Sequence, residues 1–458
     1  MTTGAVAGRC QPRSMFRAPR SPALAVFVVA LTLRLVVLAV AVFGPGRVLW
    51  LPDSLEYDLL GRNLALHGVF SRSPAPPFAP DYQRTPLFPL QVTLAYLLAG
   101  GRPGVAATLT VAANAVLGAL TAALLVPLGA VLGARRAGLW AGLLLAVDLT
   151  SIVYSAMLLS EELFALLLVG ALLALARYAG APGAWPAALA GAALGLATLT
   201  RPIGILLPLV FAPCFFLAQG RRGLPSALRD LALCGLVMGA IVAPWSLRAR
   251  AAGVDDATAT QAAINAYFHR GVLIEAARTG RDPEDVRAEL EAAFEREAAD
   301  GGWSERQRVE VMRERAARLI EGHRLLYLRL QLRGMLQLLG PETDALFDLA
   351  GLRRPADAPH EGPSRPVRET WRLLGMGQLA LVYALAARGA LALVRDRAPR
   401  RWAILALLAL PLAYFVVVSG PEAYARFRVP AMPEVVLLAA VADCWPRAAQ
   451  AGAKKPGE

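Results

Sequence analysis

The chain has 458 residues, 56% of them hydrophobic, with a mean hydropathy of +0.49 and a formal charge of +13. Several uncharged apolar runs approach or exceed the roughly 20 residues a spanning helix needs, which excludes an ordinary soluble protein. Arginine supplies all but Lys454 and Lys455 of the 47 basic residues. No basic stretch is interleaved with aromatics for base stacking, so no nucleic-acid partner is expected and the charge is read as topology information.

At the N-terminus, Arg9, Arg13, Arg17 and Arg20 precede the apolar run Pro22–Phe43. That run is too long for the apolar core of a signal peptide, about 7–15 residues, and is read as an uncleaved first span. Further spans are drawn at 105–132, 137–153, 158–177, 183–198, 203–219, 226–247, 372–394, 402–419 and 430–446. The expected fold is an all-α polytopic membrane protein of about ten transmembrane helices. Val105 to Leu132 is the clearest, with Asn114 its only strongly polar side chain.

Arg135/Arg136, Arg177, Arg221/Arg222/Arg229, Arg395/Arg397/Arg400/Arg401 and Arg447/Lys454/Lys455 then fall on the side of the N-terminal arginines, as the positive-inside rule requires of short loops. Leu87–Gly100 is too short to cross and is placed at the external surface as an interfacial or re-entrant helix. A second short helix is expected around Ser54–Leu66, with Leu55, Leu59 and Leu66 near one face.

Three regions follow: residues 1–247 as an N-terminal transmembrane core with a first external loop 44–104, residues 248–371 as an external helical region, and residues 372–458 as C-terminal spans and a cytoplasmic tail. Within 248–371, Asp282-Pro-Glu-Asp285 reads as a helix start, Glu305–Leu338 as one long helix and Pro355–Pro366 as a connector. His67, His269, His323 and His360 lack zinc-site spacing, and Cys10, Cys214, Cys234 and Cys444 show no metal pattern.

The chemistry concentrates in four external segments. The first external loop carries Asp53-Ser-Leu-Glu56-Tyr57-Asp58 and then Tyr82-Gln-Arg84-Thr-Pro86-Leu-Phe-Pro89. Tyr154-Ser-Ala-Met-Leu-Leu-Ser160-Glu161-Glu162-Leu-Phe164 opens a later helix. Thr200-Arg201-Pro202 lies at another external helix mouth, and Ser419-Gly-Pro-Glu-Ala-Tyr424-Ala-Arg426-Phe-Arg428 leads into the last span. Read from the residues alone, Asp53 is either a proton-accepting carboxylate or the N-cap of its helix. Glu56 and Asp58 are coupled acids or a solvated face. The arginines are phosphate ligands or interface anchors. Arg34, midway along the first span, must face protein or water, and a structural pairing with another helix suits it better than a substrate role.

In order and placement these motifs resemble the GT-C membrane glycosyltransferases that use polyprenyl-phosphate sugars, in the branch of the protein O-mannosyltransferases and aminoarabinose transferases. The resemblance implies sugar transfer from a polyprenyl-phosphate donor to a lipid, glycan or protein acceptor on the periplasmic face of a bacterial inner membrane. It implies catalytic roles for Asp53, Glu56 and Glu161. It implies substrate contacts for Tyr57, Arg84, Glu162, Arg201, Tyr424, Arg426 and Arg428. This chain has Gln83-Arg84 where aminoarabinose transferases more often show an acidic-lysine run. No metal ligand is assigned and no cofactor is certain, a divalent metal being left open. The competing class is a lipid or oligosaccharide transporter, but neither the inverted repeats nor the midplane helix breaks of that class are evident.

Overall fold

The computed structural model describes residues 21–43, 51–220, 223–254, 257–342, 345, 365–396 and 400–444. Among these every regular element is helical. Seven helices are long and apolar enough to cross a membrane. They include α1 (Pro22–Phe43), α4 (Pro103–Val131), α7 (Glu161–Gly180) and α10 (Leu224–Ala251). The connector expected at Pro355–Pro366 lies almost entirely outside the described residues.

The expected count of about ten is not confirmed by length and composition, and some of the drawn runs take a different form. The run drawn as 137–153 is two helices, α5 (Arg135–Ala146) and α6 (Leu149–Ser155), bent by 58°. The bend has a local cause: Asp148 stops α5 and caps α6, its Oδ2 accepting from Ser151 N at 2.9 Å and from Ser151 Oγ at 2.7 Å. Helix α8 (Ala184–Thr200) is apolar but short, and the final helix is described only as Met432–Cys444. Counting the bent pair as one span gives up to eight by length and composition.

One large apolar core runs through this bundle, drawing on α1, α4, α5, α7, α8 and α10. Small residues permit the close crossings that hold helices together where lipid offers no hydrophobic driving force. At the α4–α5 crossing Gly129 and Gly138 lie backbone against backbone, and a methyl on either would strike the other helix.

The segment between α1 and α4 contains two short helices, α2 (Pro52–His67) and α3 (Leu87–Leu98). Leu55 and Leu66 of α2 are about half exposed. The buried face is Ser54, Tyr57, Asp58, Leu60, Gly61 and Asn63. Tyr57 packs edge-on to Phe88 at 4.8 Å, and Asp58 accepts from the Tyr96 hydroxyl at 2.7 Å. Leu55 and Leu66 of α2 and Leu90, Leu94, Leu97 and Leu98 of α3 are left outward, as suits helices lying in a membrane surface. Much of the polar side of α2 therefore packs on the protein: Asp58 is buried, while Asp53 and Glu56 keep about a third of their side chains exposed.

After α10 the chain forms α11 (Ala257–Ile264), passes through a π-helical segment Asn265–Gly271, and continues as α12 (Val272–Thr279) and α13 (Pro283–Asp300). Asp282 caps α13 as expected, accepting from Glu284 N at 2.8 Å. The single long helix expected from Glu305 is instead α14 (Glu305–Gly322) and α15 (Arg324–Leu339), interrupted at His323. Tyr267, Phe294, Val309 and Met312 give this region a small core of its own.

Candidate active site

Asp53 enters the site because Pro52 starts α2 without a side-chain cap: the N-cap is Leu51, and Asp53 lies in the first turn. The N-cap alternative for Asp53 is thereby removed. Its two carboxylate oxygens bind two different arginines, Oδ1 accepting from Arg84 Nη2 at 2.7 Å and Oδ2 from Arg426 Nη2 at 2.8 Å. Glu56, one turn later, accepts from Arg84 Nε at 2.6 Å and from Arg72 Nη1 at 3.0 Å.

Arg84 is presented by a folded loop. Asn63 donates to the carbonyls of Ser71 and Ser73, at 2.8 and 2.9 Å. Asp81 accepts from the backbone N–H groups of Gln83 and Arg84, at 3.1 and 2.9 Å, and pairs with Arg72 Nε at 2.5 Å. Arg248, at the end of α10, stacks over Tyr82 and Trp245 and donates to the Asp81 carbonyl at 2.9 Å. The loop is thus held from below by α2 and from the side by α10.

The opposite wall comes from the bundle. Asn114 Nδ2 donates to the carbonyls of Met157 and Leu159, both at 3.0 Å, while its Oδ1 accepts from Gln91 at 2.9 Å. The one strongly polar residue of α4 therefore fixes the turn that delivers Ser160 and Glu161. Glu161 is buried and shares Oε1 between Arg201 Nη1, at 2.5 Å, and Arg426 Nε. Arg201 also reaches Ser160 Oγ at 3.3 Å, and that hydroxyl lies 3.4 Å from the Tyr57 hydroxyl. Arg426 Nη1 donates to Tyr424 at 3.2 Å.

Asp53, Glu56, Tyr57, Arg84, Glu161, Arg201, Tyr424 and Arg426, chosen from four separate segments, thus meet in one network. Arg72 and Asp81 belong to it as well and escaped the sequence reading, because their loop has no periodicity to mark which side chains turn inward. Burial alone would raise the Asp53 carboxyl, but Arg426 and Arg84 outweigh it and hold it well below the usual carboxylate range. The group is ionised at neutral pH.

Two residues expected on substrate stand apart. Glu162 turns inward from Glu161, and its carboxylate lies with Arg34 Nε against Gly118 of α4, where an added methyl would strike both. Arg34 thus faces protein, in keeping with a structural pairing. Arg428 is 1% exposed, and its Nη1 donates to the carbonyls of Leu338 and Gly340, at 2.8 and 2.5 Å. Its Nη2 donates to Thr150 Oγ1 at 2.8 Å. These bonds satisfy carbonyls at the C-terminal end of α15, and the expectation that Arg428 clamps a leaving group is corrected: it is a fastener. Arg428→Ala should lower the melting temperature in detergent by several degrees, since each buried carbonyl left unpaired costs about 1–3 kcal/mol. The folded fraction should bind a lipid-phosphate probe within about twofold of the parent, as judged by titration beside a thermal scan.

Among the described residues no three of His, Cys, Asp or Glu are grouped to hold a metal ion. The network's acids are all engaged by arginine instead. Beside the network lies a cavity of about 540 Å³, lined by Phe70, Pro86, Leu90, Leu199, Trp245 and Arg248 among others. It is apolar apart from Arg248 and lies between the α2–α3 loop, α8 and α10. Pro86 follows Arg84 by two positions, so the cavity abuts the charged cluster.

No protein-family model matches the chain, and no curated protein matches it by sequence. Solved structures do. The archaeal oligosaccharyltransferase AglB of Archaeoglobus fulgidus, with an inhibitory peptide and a dolichol-phosphate, aligns at 15% identity and a TM-score of 0.51, over 92% of this chain and 50% of that one. The Archaeoglobus enzyme in its apo form gives 15% identity and a TM-score of 0.52, over 93% and 50%. ArnT of Cupriavidus metallidurans bound to undecaprenyl phosphate aligns over 93% of this chain and 77% of that one, at 17% identity, but a TM-score of 0.41 is too low to carry an argument. This chain spans about half the length of the archaeal transferase. At such identity the likeness is one of architecture: this chain shares the membrane fold of the archaeal oligosaccharyltransferase.

Proposed function

We propose that this protein is an integral-membrane glycosyltransferase that moves a sugar from a polyprenyl-phosphate donor to an acceptor on the external face of a bacterial inner membrane. The observation that carries the reading is Asp53 itself: an ionised, one-third-exposed carboxylate bridging two arginines, beside an apolar cavity. The archaeal transferase of the same fold, solved with a dolichol-phosphate, supports a lipid-phosphate donor.

The chemistry follows from what each group can do. The acceptor oxygen attacks the anomeric carbon from the face opposite the phosphate. The sugar–oxygen bond to phosphate breaks, and the phosphate leaves with the electron pair. Asp53 takes the acceptor proton as the new bond forms. Arg84 and Arg426 are placed to receive the phosphate, because a guanidinium donates a fork of hydrogen bonds to such a group. Glu161 holds Arg426 and Arg201 from behind, from a position too buried to meet substrate. The 540 Å³ cavity, with Arg248 in its lining, would take the first isoprene units.

The test is reconstitution in liposomes with a radiolabelled polyprenyl-phosphate hexose and a cell-envelope extract as acceptor source. Label should leave the lipid and appear in extract material, and a nucleotide sugar should not substitute. Consumption of the nucleotide sugar with the lipid donor untouched would refute the reading.

A further inference from the structure

Every arginine of the network is paired with an acid. Arg72, Arg84, Arg201 and Arg426 face Asp53, Glu56, Asp81 and Glu161, so positive and negative charges balance. His269, which faces this cluster from the π-helical segment, is pushed down to about 4 by burial and by Arg287, so it adds no cation at neutral pH. The neighbouring Arg270 is itself paired with Glu422 at 3.2 Å. An anionic phosphodiester entering this partly desolvated cluster competes with the acids for their arginines, because an uncompensated charge there is costly.

The acids are not equally able to let go. Asp81 and Glu161 have side chains only 5% and 1% exposed, and Asp81 is tied to two backbone N–H groups as well. Glu56 keeps Arg72 even if Arg84 leaves. Among the described residues Asp53 is held by Arg84 and Arg426, and its side chain is 33% exposed.

We propose that Arg84 and Arg426 mask Asp53 and that the donor's phosphate unmasks it by taking those two arginines. This rests on the glycosyltransferase reading above and specifies how its base is controlled. With both arginines on Asp53 the carboxylate is a weak base, as its depressed proton affinity reflects. Once the phosphate holds them, the same carboxylate regains basicity beside the bond that must react. An empty site thus has little power to activate water, and donor binding switches the base on.

The consequence is counterintuitive: removing the catalytic carboxylate should strengthen donor binding. Binding of a non-transferable C-glycosyl phosphonate analogue of a polyprenyl-phosphate hexose is measured by titration on parent, Asp53→Asn and Asp53→Ala, each confirmed folded by size-exclusion chromatography. Both variants should bind about tenfold more tightly, the scale expected for a competing charge-assisted contact removed. Glu56→Gln should shift affinity less than Asp53→Ala does. Unchanged or weaker binding in both Asp53 variants overturns the proposal. So does loss of binding in Arg287→Ala with Arg84→Ala unaffected, since Arg287 has a buried Nε without a partner and is the rival phosphate ligand. If parent and variants alike ignore the analogue, the donor reading fails and this inference falls with it, an outcome told apart by the parent's own titration.

Discussion

Asp53→Asn is expected to lower sugar transfer by about 10²–10⁴, the range that a positioned general base contributes. The protein should still insert and fold, because Asp53 caps no helix and is one-third exposed. The amide keeps the shape of the side chain and removes only its charge and its capacity to take a proton. Initial rates with a labelled lipid donor, read beside the melting temperature, separate the two effects. A variant with near-parental turnover would show that the proton goes elsewhere. The pH behaviour follows the same sign: with its proton affinity depressed in the folded state, Asp53 contributes stability above the ordinary carboxylate pKa of about 3.9. That contribution is lost only as the pH falls through the lower folded value, so acid exposure near pH 5 should leave the cluster intact.

Arg426→Met should produce the second large effect, on stability as well as on rate. Arg426 is nearly fully buried and joins Asp53, Glu161 and Tyr424 through three different nitrogens. Its removal leaves Glu161 buried against Arg201 alone, and breaking a buried ionic partnership costs about 3–5 kcal/mol. Transfer should fall below detection and the melting temperature should drop sharply. Arg426→Lys restores the charge but not the planar fork, and a single ammonium cannot span both carboxylates. It should recover part of the melting temperature and little of the rate. Full activity in the lysine variant would mean that bridging Asp53 to Glu161 is irrelevant.

Much of the site was legible because its residues violate the surroundings. Asp53, Arg84, Glu161, Arg201 and Arg426 are charges in short external segments of an otherwise apolar chain, where an ionisable group needs a reason. Arg72 and Asp81 were not legible, because both sit in an aperiodic loop where pairing depends on how the chain folds back on Asn63 and Arg248. Arg428 was misread for a related reason. Two residues from Arg426 it looks equivalent in sequence, yet the 3₁₀ turn Ala425–Ala431 sends the two guanidinia to different partners.

What the sequence determined by itself is what depends on local composition: a membrane protein, the long apolar helices, and the helix start at Asp282. These follow from hydrophobic transfer and from capping, which act over a few residues at a time. Only the tertiary structure decided which face of α2 is buried, where the run from Arg135 bends, and which arginine meets which acid. Those outcomes depend on packing between segments far apart in the chain. For α2 the contacts with Phe88 and Tyr96 outweigh the pull of its own leucines, whose side chains lose little by facing outward at a membrane surface.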